Sequence, residues 1–105
     1  MTSRYSKALP KSWQGLAEVF TALGDEHRQR ILLMFGKGDE RTIKDVVDQV
    51  PLSRTAVTHH IRVLREAGVL VAQKRGKEVY LRPDPERVLE AIEALRGYIK
   101  DEFRL

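Results

Sequence analysis

Between positions 54 and 65 the chain carries Arg54, Thr55, Thr58, His59, Arg62 and Arg65, all hydrogen-bond donors or cations. Interleaved with them, Val57, Ile61 and Leu64 recur at gaps of four and three. That spacing gathers the apolar residues on one stripe of a helix and leaves the donors on its other faces. Guanidinium, hydroxyl and imidazole groups on one short helix can bond to base edges and phosphates, and a major groove admits one such helix. Arg54, Thr55, Thr58 and His59, in the first turns, are the expected base readers. Arg62 is an expected phosphate contact.

The flanking residues are those that would position such a helix. Ser53 offers a side-chain oxygen to the open amides of the first turn, and Gly68 can take the left-handed conformation that ends a helix. Just upstream, Thr42-Ile43-Lys44-Asp45 has the spacing of a capping box. Ile43, Val46, Val47 and Val50 then make a short apolar face that Pro51 stops. Two helices joined by Val50-Pro51-Leu52 form a helix-turn-helix over 42–67, with the second helix as the reader. An αα-hairpin in a small bundle would share this spacing, and charge placement separates the two readings. From Ser53 to Arg82 seven cations face two anions, a balance of +5 in a chain whose total is +4, so the remainder is −1. The positive excess therefore lies on the proposed reader and the hairpin residues after it, as a surface facing phosphates requires.

After Gly68 the period changes. Val69–Lys74 and Lys77–Arg82 are apolar, β-branched or aromatic runs on either side of Arg75-Gly76, which predicts a hairpin over 69–82. Its tip carries Lys74, Arg75 and Lys77, expected along the backbone or in the adjacent minor groove. A merely solubilising turn is the other reading.

Two further stripes need cover. A first helix is expected over 12–23, with Trp13, Leu16, Phe20 and Leu23 in line; Asp25 should cap a second running through Ile31, Leu32 and Phe35, and 36–41 reads as a turn. Asp84, Pro85 and Glu86 suit the start of a last helix over 85–104, along which Val88, Ile92, Leu95, Ile99 and Phe103 recur. One small domain has few places to hide both stripes. Trp13, Leu16, Phe20, Val88, Ile92, Leu95, Ile99 and Phe103 are the expected dimer interface, and packing of the last helix on the domain's own core is the other reading. Residues 1–11 read as a loose arm, either a plain tail or a minor-groove reader.

With 105 residues and 42% apolar content, one folded domain is expected, mainly α with a small β-hairpin in the order α-α-α-α-β-β-α. No apolar run approaches the ~20 residues that span a bilayer, and the first residues lack the apolar core of a secretory signal. A cytoplasmic protein without membrane contact is expected. The absence of cysteine excludes disulfides and thiolate metal sites. There is no Gly-x-Ser-x-Gly, phosphate loop or His-Glu-x-x-His, and nothing around Ser53 and His59 supplies an oxyanion site, so no enzyme activity and no cofactor are expected. His59 and His60, about 100° apart on a helix, are poorly placed to chelate together. His59 falls on the polar front, His60 is expected to pack within the helix-turn-helix, and His27 is expected in a core or surface role.

Taken together these residues resemble the ArsR-type (ArsR/SmtB) winged-helix repressors. Ala22–Leu32 is similar to that family's "ALGDxxRxxIL", and Leu52–Gly68 is similar to its recognition-helix signature "LSxxxVSxHLxxLxxAG". Lys74–Lys77 with Val79-Tyr80 resembles its wing, and the resemblance covers roughly residues 16 to 100. It implies a winged helix-turn-helix that dimerises through its first and last helices. It also implies binding to an imperfect palindromic operator in double-stranded DNA, with repression relieved by an effector whose identity stays open. The family's metal ligands have no counterparts: the helix after Arg41 lacks the cysteine pair, and the last-helix positions fall on Asp84, Glu86, Gly97 and Lys100. Glycine offers no ligand and an ammonium repels a cation, so no metal site is expected. A winged-helix module for protein partners is the alternative, and it would need an apolar face where Arg54–Arg65 is polar.

Overall fold

The computed structural model describes residue 5 and residues 8–105. A short 3₁₀ turn, Lys11–Trp13, leads into helices α1 (Leu16–Leu23) and α2 (Glu26–Leu32). Strand β1 (Arg41–Thr42) precedes α3 (Ile43–Gln49) and α4 (Arg54–Glu66). Strands β2 (Leu70–Arg75) and β3 (Glu78–Pro83) form the hairpin, and α5 (Pro85–Phe103) closes the chain. The expected arm over 1–11 falls largely outside the described residues.

The helix-turn-helix forms as its local chemistry dictates. Thr42 Oγ1 accepts from the Asp45 amide at 3.0 Å while the Thr42 amide donates back to Asp45 Oδ2 at 3.4 Å. Ser53 Oγ accepts from the Ala56 amide at 3.1 Å. Gly68 adopts φ +78° just beyond α4, where a side chain would be strained. The stripe of α4 lies in the core: Val57, Ile61 and Leu64 are 0, 2 and 0% exposed. They pack with Val19 and Ala22 of α1, Ile31 of α2, Val46 of α3 and Leu81 of β3.

The structure departs from the expected boundaries at several places. The first helix does not run unbroken from residue 12. Gly15, at φ +78°, separates the 3₁₀ turn from α1, and its carbonyl accepts from Arg87 Nη2 at 3.3 Å. A Cβ at this position would collide with that guanidinium. The second helix ends at Leu32 rather than reaching Phe35, with the last amides bonding three residues back (Met34 to Ile31, Phe35 to Leu32), the tightening common at helix ends. Within 36–41, read as a turn, Arg41 belongs with Thr42 to a strand that pairs with Leu81 and Tyr80, making a three-stranded antiparallel sheet in the order β1-β3-β2. Two residues are too few to show a period.

The hairpin tip also lies one residue further on than expected. Arg75 pairs with Glu78, leaving Gly76-Lys77 as a two-residue loop. Gly76 has φ +62° and Lys77 does not have positive φ, the pattern of a type II′ turn, whose twist suits a hairpin. At the other end of the wing, the Asp84 amide donates to Val69 O at 2.9 Å, and the Asp84 side chain caps α5. Among the described residues, no helix is long and apolar enough to cross a membrane.

Candidate nucleic-acid interface

With one stripe of α4 in the core, Arg54, Thr55, Thr58, His59 and Arg62 are all exposed on the remaining faces. The helix start is electrostatically unusual. α1, α2, α3 and α5 each place an acid in the first turn, namely Glu18, Glu26, Asp45 and Glu86. Those carboxylates complement the positive end of the helix dipole. The first turn of α4 has no acid and begins with Arg54. A cation beside unpaired amides is locally unfavourable and becomes favourable when an anion arrives.

The wing is brought against this end. Arg54 and Lys77 line one cleft of about 380 Å³ with Ile43, Lys44, Asp48 and Glu78. Within it Lys44 Nζ bonds to Asp48 Oδ2 at 2.7 Å, and that bond holds Lys44 above its usual pKa. Lys74 and Lys77 are exposed on the hairpin. Arg75, expected at the phosphates, is engaged within the protein: Nη1 and Nη2 donate to Glu40 Oε1 and Oε2 at 3.1 and 2.7 Å. Arg54 and Lys77 thus converge, while Arg75 is turned to its own chain.

The inner side of α4 is fixed by a residue that the patterning of the sequence did not single out. Arg28 Nε and Nη2 donate to the carbonyls of Ala22 and Thr21, each at 2.9 Å, and Nη1 donates to His60 Nδ1 at 3.1 Å. Arg28 belongs to the "ALGDxxRxxIL" segment, so a signal was present, but not the partner. His60 is half-buried, but it bonds to Arg28 of α2 rather than within the helix-turn-helix, and the rings of His27 and His59 lie at 5.8 and 5.9 Å. Burial pushes the His60 imidazole below its ordinary pKa; Asp25 opposes this, while Arg28 and the neighbouring imidazoles of His27 and His59 act with burial. Burial pushes the Asp25 carboxyl up, but the amides of Arg28 and His27 outweigh it and hold Asp25 low. Among the described residues, no group of three or more His, Cys, Asp or Glu could hold a metal ion.

The second expected surface lies on α1 and α5. Phe20, Ile92, Leu95 and Ile99 line an apolar groove of about 460 Å³, flanked by Arg96 and Lys100. Trp13 stands edge-on to Tyr98 at 5.3 Å between ring centres. Leu16 and Val88 pack partly against the core, whereas Ile92, Ile99 and Phe103 are exposed. Phe103, at 65% exposure, is not part of the groove. Arg87 carries no sequence signal, yet its guanidinium donates to Ala67 O at 3.2 Å as well as to Gly15 O.

Residues 23–72 match the helix-turn-helix domain family. The chain is 33% identical over 78 residues to a cadmium resistance transcriptional regulatory protein CadC homolog of Staphylococcus aureus, an alignment covering 74% of this chain and 64% of that protein. It thus spans slightly less than two thirds of that relative. It is 31% identical over 62 residues to the transcriptional repressor SdpR of Bacillus subtilis, covering 59% of this chain and 68% of SdpR. Among solved structures, an ArsR-like transcriptional regulator from Rhodococcus sp. RHA1 superposes with a TM-score of 0.79 at 26% identity, covering 90% of this chain and 89% of the other.

Proposed function

The chain belongs to the ArsR-type winged helix-turn-helix regulators, and we propose that it is a homodimeric, sequence-specific DNA-binding repressor without a metal-sensing site. The observation that carries this reading is the start of α4, where exposed Arg54 takes the place the other helices give to an acid. Arg54, Thr55, Thr58 and His59 would read base edges, and Arg62 with the wing cations would hold the backbone. Two copies joined through α1 and α5 would present their α4 helices to successive major grooves, one turn or ~34–36 Å apart, on a palindromic operator. Acting on chromosomal DNA, the protein would work in the cytoplasm.

The absence of a metal response is expected from the donor set. Asp84 caps α5, and the matching later positions are Gly97 and Lys100. The test is a mobility shift with the chain's own upstream DNA, repeated over a salt series with and without zinc. Affinity should fall steeply with salt, by a slope of about 0.9 per phosphate neutralised, and zinc should leave it unchanged. Binding indifferent to salt would overturn the DNA reading, and stoichiometric zinc that releases DNA would overturn the metal-free one.

A further inference from the structure

Arg75 stands near the tip of the wing, where a cation would be expected to meet phosphate. Its guanidinium is held on three sides instead: by both oxygens of Glu40 at 3.1 and 2.7 Å, by Gln73 Oε1 at 2.8 Å, and by the face of Tyr80, whose centre lies 4.6 Å from the guanidinium carbon. A phosphate takes the same two-pronged edge of a guanidinium that a carboxylate takes. The edge occupied by Glu40 therefore cannot hold a phosphate at the same time.

Glu40 lies 35 residues from Arg75, in the segment joining α2 to β1. β1 pairs with β3 at Leu81 and Tyr80, nearer the base of the hairpin. Beyond that point the wing is only β2 paired with β3, and an isolated two-stranded ribbon is marginally stable in water. The ion pair adds a second tether beyond the strand pairing. Releasing Arg75 to DNA would leave the Glu40 carboxylate, 33% exposed, uncompensated beside the phosphates. Keeping the pair closed presents DNA with a neutral unit and leaves Lys74 and Lys77 as the charges of the tip.

We infer that Glu40 is a positioning residue of the wing: through its bidentate pair with Arg75 it sets where the hairpin tip lies, and the tip touches phosphate through Lys74 and Lys77. The binding arm of this inference rests on the DNA reading above; the structural arm does not.

The decisive experiment exchanges the two charges. Arg75→Glu alone should weaken operator binding by roughly tenfold, and adding Glu40→Arg in the same chain should restore most of it, a coupling typical of paired residues. A residue that itself contacts phosphate would not be rescued, because a carboxylate would still face the DNA. Arg75→Gln should lower affinity while leaving the salt slope unchanged, whereas a lost phosphate contact would make it shallower by about 0.9. In the free protein, Glu40→Gln should speed amide exchange at the outer ends of β2 and β3 and not in α4, and the charge-exchanged pair should slow it again. A swap as weak as Arg75→Glu, a shallower slope for Arg75→Gln, or exchange unaltered by Glu40→Gln would each overturn the inference. Were the native chain to bind no DNA, the functional reading would fall while the exchange measurements still decided the tether.

Discussion

α4 and α5 are both amphipathic in sequence, yet they enclose opposite shares of themselves. The thirteen residues of α4 bury Val57, Ile61 and Leu64, whereas the nineteen of α5 bury Ala91. Leu89, Ile92, Tyr98, Ile99 and Phe103 of α5 remain exposed. On α4 the exposed part is polar and cationic; on α5 much of it is apolar. Periodicity identifies which face of a helix is apolar but not what covers that face. One helix finds its cover within the chain and leaves its polar, cationic remainder to solvent. The other carries an apolar surplus that a second copy would cover.

This contrast predicts effects of different kinds. Leu64→Ala should destabilise the fold by ~2–5 kcal/mol at every protein concentration, as cavities in packed cores do, and urea unfolding reads it directly. Ile92→Asp should leave the monomer folded but weaken self-association by about 2 kcal/mol or more, the range for a central apolar interface residue. Sedimentation would show it, and the concentration dependence of Tm should shrink with it. An Ile92→Asp chain that associates as the native one does would remove the proposed role of α5. Arg54→Ala should cost ~1–3 kcal/mol of discrimination between operator and mismatched DNA with little change in Tm, since Arg54 is exposed.

The smallest effect concerns the seam behind α4. Because burial, first of all, holds His60 below its ordinary pKa, the unfolded chain takes up this proton before the folded one does. Its contribution to stability is therefore complete above about pH 6.5, the value for a free imidazole, and is lost as pH falls through that value towards the lower folded one. His60→Gln should flatten this part of the stability profile in thermal melts from pH 5 to 8. An unchanged profile would show that the burial of His60 does not govern it.

What could be read from the sequence was local. Thr42 with Asp45, Ser53 with Ala56, and Gly68 act within three residues or through their own backbone, so types and spacing suffice to place them. The break at Gly15 was not legible, because glycine is tolerated inside a helix and its reason lies at Arg87, 72 residues away. The same holds for Arg75, which reads as a free cation until Glu40 is brought beside it, and for Arg28, whose partner His60 is 32 residues distant. The candidate DNA surface was legible residue by residue on α4, where exposure follows from period. At the wing, net charge says nothing of which cation is already matched, as Arg75 is by Glu40.

Arg87 joins parts of the molecule that otherwise have separate tasks. From near the start of α5 it bonds to Gly15 ahead of α1 and to Ala67 at the last turn of α4. The segment leading into the proposed pairing face and the rear of the proposed reading helix thus hang from one planar group. A tilt of α5 would therefore strain two hydrogen bonds at once, one at the entrance to α1 and one at the end of α4.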